Sequence, residues 1–181
     1  MKTIRKILFF SAAAILLCSC GALSPASKAA RAAEKEAERA AFVNALENCD
    51  FILEVTTIIP RGFPSKTSTA EYRLRLDGDV VTTRLPFIGE SREAVYGGTD
   101  EISIVFDKEK VQVMKDFSDS AKGEYRYQFQ GGKGPGKWII TLQIYDNGNA
   151  SIGAAGSGGK YMSYFANLIL PDKDKKNENN Q

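Results

Sequence analysis

The sequence predicts an all-β fold: an antiparallel, barrel-like or sandwich domain of about eight to nine strands, preceded by an N-terminal α-helix. Three observations lead there. From Asp50 onward, apolar residues recur with a period of two in one short segment after another. Turn signals such as Asp77-Gly78 and Asn147-Gly148 separate those segments at regular spacing. No long helical pattern interrupts the strands, which argues against parallel βαβ units.

The chain begins with an address. Lys2, Arg5 and Lys6 precede a short apolar run from Ile7 to Leu17, followed by Cys18-Ser19-Cys20-Gly21. A basic start, a short apolar stretch and small residues at the end describe a secretory signal peptide over residues 1–19. The run is too short to span a bilayer, which takes about 20 apolar residues. Leu17 three residues before Cys20, and Ser19 directly before it, resemble the lipobox of bacterial lipoproteins. That resemblance implies cleavage before Cys20 and a diacylglyceryl thioether on its sulfur. Each buried methylene contributes about 0.8 kcal/mol, so two or three acyl chains hold a protein stably at a membrane.

Residues 20–26 form a short lipidated tether. Residues 27–49 are rich in Ala, Glu, Lys and Arg, strong helix formers. The apolar face is alanine alone until Phe42, Ala45, Leu46 and Cys49, spaced i, i+3, i+4 and i+7 on one helical face. The first half of this helix is expected to be solvated and its last two turns to be docked.

Residues 50–170 carry the strands. Phe51, Leu53, Val55, Thr57 and Ile59 are expected on one face, with Ile52, Glu54, Thr56 and Ile58 on the other. Ala70, Tyr72, Leu74 and Leu76 alternate with charged residues, and Val80 to Leu85 runs back after Asp77-Gly78. Ile102, Ile104 and Phe106 form the next segment, and Asp107 to Lys110 is expected to turn the chain toward Val111 and Val113. Tyr125, Tyr127 and Phe129, then Trp138, Ile140, Leu142 and Ile144, alternate strictly. Ala150, Ile152 and Ala154 follow the Asn147-Gly148 turn, and Tyr161 to Leu170 is the last strand. Residues 171–181 are charged and Asn-rich, the composition of a disordered tail. A domain of this length can bury one core without disulfides.

Composition narrows the chemistry. Of 24 basic residues, processing removes three, leaving 21 against 22 acidic ones. No basic face survives, so a nucleic-acid partner is not expected. The chain contains no histidine, which rules out the common Ser-His-Asp and Cys-His arrangements and removes the commonest metal ligand. With Cys18 cleaved and Cys20 acylated, Cys49 is left without a disulfide partner and reads as a small buried hydrophobe. No metal site and no cofactor is expected.

Four features invite a sharper reading. Gly131-Gly132-Lys133-Gly134-Pro135-Gly136-Lys137 has the spacing of a phosphate-binding P-loop as far as its lysine. Trp138 follows where Ser or Thr belongs, and the segment joins two strands rather than a strand and a helix. A glycine-rich hairpin loop is the plain reading. Gly153 to Gly159 reads as a flexible connection, or a mobile loop beside a ligand entrance. Leu85-Pro86-Phe87-Ile88-Gly89 places two large apolar residues beside a proline that ends strand pairing; they cap the core or form an exposed contact patch. Tyr125, Tyr127 and Trp138 belong to an aromatic set that fills a core or lines a cavity. The scattered aspartates fall mostly at turns.

The chain resembles an uncharacterised family of Bacteroidetes lipoproteins, domain of unknown function 4251. The resemblance runs from about Phe42 to Leu170. It rests on the lead helix, Glu71-Tyr72-Arg73-Leu74, Asp77-Gly78-Asp79-Val80-Val81, Leu85-Pro86-Phe87-Ile88-Gly89, Asn147-Gly148-Asn149-Ala150 and Ser163-Tyr164. The family pattern at the fourth of these is Leu-Pro, two aromatics and Gly, and Ile88 replaces the second aromatic. The resemblance implies a compact β-rich domain in a Gram-negative envelope and supplies no catalytic residues. Surface export in that group resembles a rule requiring acidic residues soon after the lipidated Cys. Here no acid precedes Glu34, which implies an outer-membrane anchor facing the periplasm.

The expected function is therefore non-catalytic: an envelope lipoprotein held to the membrane through Cys20, binding a ligand or an envelope protein. Leu85, Pro86, Phe87, Ile88, Gly89, Tyr125, Tyr127 and Trp138 are the candidate contacts. Two alternatives remain open, a hydrolase of envelope polymers using carboxylates alone and a purely structural subunit. Facing carboxylates about 5–10 Å apart would favour the hydrolase, a hollow barrel or exposed apolar patch would favour binding, and a filled, closed core would favour a structural role.

Overall fold

A computed structural model describes residues 25–88, 103–132 and 137–171. The signal peptide, Cys20, Gly89, positions 133–136 of the glycine-rich loop, and the tail from 172 onward lie outside the described residues. The chain forms two units, residues 1–41 and 42–181.

Helix α1 spans Pro25–Asn48. Every residue from Lys28 to Ala41 is exposed, as a surface of Ala, Glu, Lys and Arg dictates. Within the second unit, Ala45 and Leu46 are buried and Phe42 is half-buried against the core. No helix among the described residues is long and apolar enough to cross a membrane.

The second unit is a nine-strand antiparallel sheet curled into a half-barrel. Its strands are β1 (Asp50–Pro60), β3 (Arg73–Asp77), β4 (Val80–Pro86), β5 (Ser103–Lys110), β6 (Met114–Asp116), β7 (Glu124–Gly131), β8 (Trp138–Tyr145), β9 (Asn149–Gly156) and β10 (Tyr161–Ile169). A two-residue strand, β2 (Lys66–Thr67), pairs with β1 outside the main path. The order is β5-β4-β3-β1-β10-β9-β8-β7-β6. Two meanders thus meet where the first strand pairs with the last, and Leu53 lies opposite Leu168.

The hairpins follow from turn chemistry. Gly78 adopts φ 60° between Asp77 and Val80, which are paired, so two residues close the turn. Gly148 adopts φ 83° before β9.

Two bulges change which residues face inward. Val55 pairs with Ala166 and Thr57 with Phe165, leaving Thr56 as an extra residue in β1. The parity flips there, so Ile58 is buried, and Thr57 and Ile59 are not the core residues that simple alternation predicts. The second bulge lies where a turn is predicted. β5 continues through Asp107 to Lys110 because Lys108 takes up the extra residue at φ 48°. Val81 pairs with Glu109 and Thr83 with Phe106, and both Val81 and Thr83 are buried. Glu109 therefore shares the inner face.

That placement matters at the seam. β5 and β6 end the strand order and do not pair. The carboxylate of Glu109 accepts the Gly132 N–H at 3.0 and 3.1 Å, joining β5 to the end of β7. Phe106 and Phe129 meet edge-to-face across the same gap, with centroids 5.9 Å apart.

The inner face carries a large apolar core among the described residues. Leu74, Leu76, Leu85, Ile104, Ile140, Leu142 and Ile152 are fully buried. β9 contributes Ala150 and Ala154, small residues on the inner face of a strand neighbouring the bulky side chains of β8. The Gly153–Gly156 stretch is strand rather than a flexible connection; only Ser157–Gly159, a 3-10 turn, leads into β10. A Cβ on Gly156 would come within 2.8 Å of the Trp138 ring, so glycine gives the indole its space.

Candidate functional site

The residues singled out from the sequence fall at both ends of the half-barrel. At the first end, Tyr125 and Tyr127 project from β7 into an aromatic cluster under the last turns of α1. Phe117 lies 5.4 Å from Tyr125 and 5.5 Å from Tyr127, and Phe51 lies 5.4 Å from Tyr127. Phe42 meets Tyr125 edge-on at 6.4 Å. The Tyr127 hydroxyl donates to the Leu46 carbonyl at 2.8 Å, which also accepts the Cys49 N–H at 3.2 Å, so the helix C-terminus is held by two donors. Burial pushes the phenol well above its ordinary pKa, because the anion would be desolvated. Lys115 donates to the Glu47 carbonyl. Cys49 is buried, and desolvation raises its thiol pKa despite the neighbouring Lys115, so it stays a thiol.

At the second end, Leu85, Pro86 and Phe87 are buried and Ile88 is half-buried. Trp138 packs on Phe87 with centroids 5.4 Å apart. Pro86 is the last paired residue of β4, and its carbonyl accepts the Tyr164 hydroxyl at 2.7 Å. Burial raises the Tyr164 pKa as well. The structure thus brings Leu85, Pro86, Phe87 and Trp138 together, and holds Tyr125 and Tyr127 apart from them. The bulk of these side chains is spent on the core.

What Phe87 and Ile88 do outside the core is line a groove of about 380 Å³, with Arg61, Gly62, Phe63, Gly158, Gly159, Lys160 and Tyr161. Three connections converge there: the turn after β1, the end of β4, and the glycine turn between β9 and β10. Phe63 is 48% exposed and Tyr161 45% exposed. Arg61, Phe63, Lys160 and Tyr161 form no signal of their own in the sequence beyond an aromatic placed beside glycines at a strand end. Nothing in the linear order says that the two turns carrying them are neighbours.

Carboxylates are engaged elsewhere. Arg73 pairs with Glu54 and Glu71, Arg75 with Asp50 and Asp77, and Lys110 with Asp79. Arg126 joins Asp116, Asp119 and Glu124. Hydrogen bonds from Ser118 hold Asp116 below the usual carboxylate range, and the Lys122 ammonium does the same for Asp119. A second groove of about 450 Å³ lies along β3, β4 and β5 and is lined in part by Glu71, Arg73, Arg75, Arg84 and Asp107. Among the described residues no cluster of Cys, Asp and Glu is arranged to hold a metal ion.

The sequence model of the domain of unknown function DUF4251 matches residues 33–165, most of the chain. The protein belongs to the DUF4251 family. A crystal structure of a DUF4251 family protein from Bacteroides eggerthii DSM 20697 shares the fold, with a TM-score of 0.51 and 16% sequence identity. The match covers 75% of this chain and 89% of that one. No curated protein matches this DUF4251 chain.

Proposed function

We propose that this DUF4251 protein is a non-catalytic lipoprotein of the cell envelope. Acyl chains on Cys20 anchor it, in the outer membrane facing the periplasm, and its β domain binds a ligand at the groove beside Phe87 and Ile88. The observation that carries the reading is the pair of exposed aromatic rings, Phe63 and Tyr161, in one concavity backed by the buried Phe87–Trp138 wall. Ligand sites combine a rigid apolar wall with a few polar groups at the rim. The ion pairing of carboxylates along the strands fits a binding role better than general acid–base hydrolysis.

The large set of fully buried side chains also fits a second reading, a structural subunit with no small-molecule site. Native mass spectrometry of the lipoprotein purified from its own envelope separates the two. The binding reading expects a small bound mass on the wild type, lost in the double variant Phe63→Ser/Tyr161→Ser, and a Cys20→Ala chain that lacks acyl mass and leaves the membrane fraction. A wild type without bound mass supports the structural subunit. An acylated Cys20→Ala product overturns the anchor.

A further inference from the structure

We infer that the groove takes a small organic anion carrying a ring, a phosphate or carboxylate joined to a sugar or aryl body. This deepens the proposal above and rests on it. The first support is charge. Among the described residues, the groove lining contains two cations, Arg61 and Lys160, and no Asp or Glu. Neither Arg61 nor Lys160 forms an ion pair among the described residues, a state they share with Lys66, Arg84 and Lys108 but which here falls on two cations of one groove. Two cations with no carboxylate beside them among the described residues attract an anion. The guanidinium fork of Arg61 suits the paired oxygens of a phosphate or carboxylate.

The second support is shape. Phe63 and Tyr161 keep about half their surface exposed in the same concavity, offering faces on which a ring can stack. The rim is open at Gly62, Gly158 and Gly159, where nothing lies within 4 Å of a Cβ position and positive φ values of 82°, 72° and 78° form the turns. The volume of about 380 Å³ falls within the range of roughly 300–1,000 Å³ typical of small-molecule sites.

Trp138, the single tryptophan, packs on Phe87 of the groove wall and reports occupancy. The experiment titrates the detergent-solubilised lipoprotein with N-acetylglucosamine 1-phosphate and with phenyl phosphate, following Trp138 fluorescence and heat. N-acetylglucosamine and inorganic phosphate serve as the separate halves. At least one ring-bearing phosphate should bind tenfold or more tightly than either half and weaken as salt rises. Arg61→Gln/Lys160→Gln should abolish that preference while keeping the thermal midpoint within a few degrees. Equal affinity for N-acetylglucosamine overturns the anion and leaves the groove reading intact. Equal affinity for inorganic phosphate overturns the ring. Silence from both phosphates overturns this inference, while the bound mass in the native spectrum still decides the groove itself.

Discussion

The two ends of the half-barrel use aromatic residues in opposite ways. At the helix end, Phe42, Phe51, Phe117, Tyr125 and Tyr127 pack on one another, and the Tyr127 hydroxyl is satisfied by Leu46. At the groove end, Phe87 and Trp138 close the core from within, while Phe63 and Tyr161 stay exposed beside two unpaired cations. One end is capped by the chain's own backbone. The other leaves Phe63 and Tyr161 about half exposed. The same residue types are therefore buried at one end and partly exposed at the other, and the difference lies in what covers them.

The sharpest way to break this contrast is at the helix end. Leu46 is fully buried, and its main chain also receives the Tyr127 hydroxyl. Leu46→Ala removes apolar contacts and leaves a cavity, which should cost about 2–5 kcal/mol in denaturant unfolding. In the fraction that remains folded, Trp138 emission should be unchanged, because the groove end is built from other strands. A cost below about 1 kcal/mol would show that the helix end is not packed as a lid.

A smaller loss is expected from Gly156→Ala at the opposite end. The new methyl would stand 2.8 Å from the Trp138 ring, so the indole must shift against Phe87. Overpacking of this kind costs about 1–3 kcal/mol. Unlike Leu46→Ala, the change should alter Trp138 emission in the native state and disturb the groove wall. An unchanged spectrum and stability would mean that Trp138 has room the packing does not indicate.

Much of the fold is legible in the sequence because β-alternation needs only neighbouring residues. Tyr125, Tyr127 and Phe129 face inward, as do Trp138, Ile140, Leu142 and Ile144. The bulges at Thr56 and Lys108 are not legible, since a bulge is defined by the register of the partner strand. For the same reason Asp107–Lys110 reads as a turn although it continues β5 and turns Glu109 toward the seam. Gly153–Gly156 reads as flexible because its glycine answers to an indole on another strand. The groove shows the same limit. Large apolar residues such as Leu85 and Phe87 stand out along the chain, yet their size serves the core. Phe63 and Tyr161 come to line one groove only through folding, which no linear pattern records.

The finest comparison uses the two buried phenols. Tyr127 and Tyr164 each donate to a backbone carbonyl, of Leu46 and of Pro86 respectively, so each Tyr→Phe change should cost about 1 kcal/mol at neutral pH. Burial raises both folded pKa values above the ordinary phenol value of about 10. The unfolded chain therefore releases these protons first as pH rises. The stability tied to each buried phenol is fully present below about pH 10 and is lost above it, by about 1.4 kcal/mol per pH unit for each residue. Either Tyr→Phe variant should lose stability less steeply with pH in that range, and the double variant less steeply still. The ends part company in ligand response. Tyr164 holds the carbonyl directly before Phe87, so Tyr164→Phe should loosen the groove wall and weaken binding of a ring-bearing phosphate. Tyr127→Phe should leave that affinity unchanged, because its hydroxyl holds only the last turn of α1. Equal effects of the two variants on binding would mean that the ends are coupled through the core and do not act as separate lid and site.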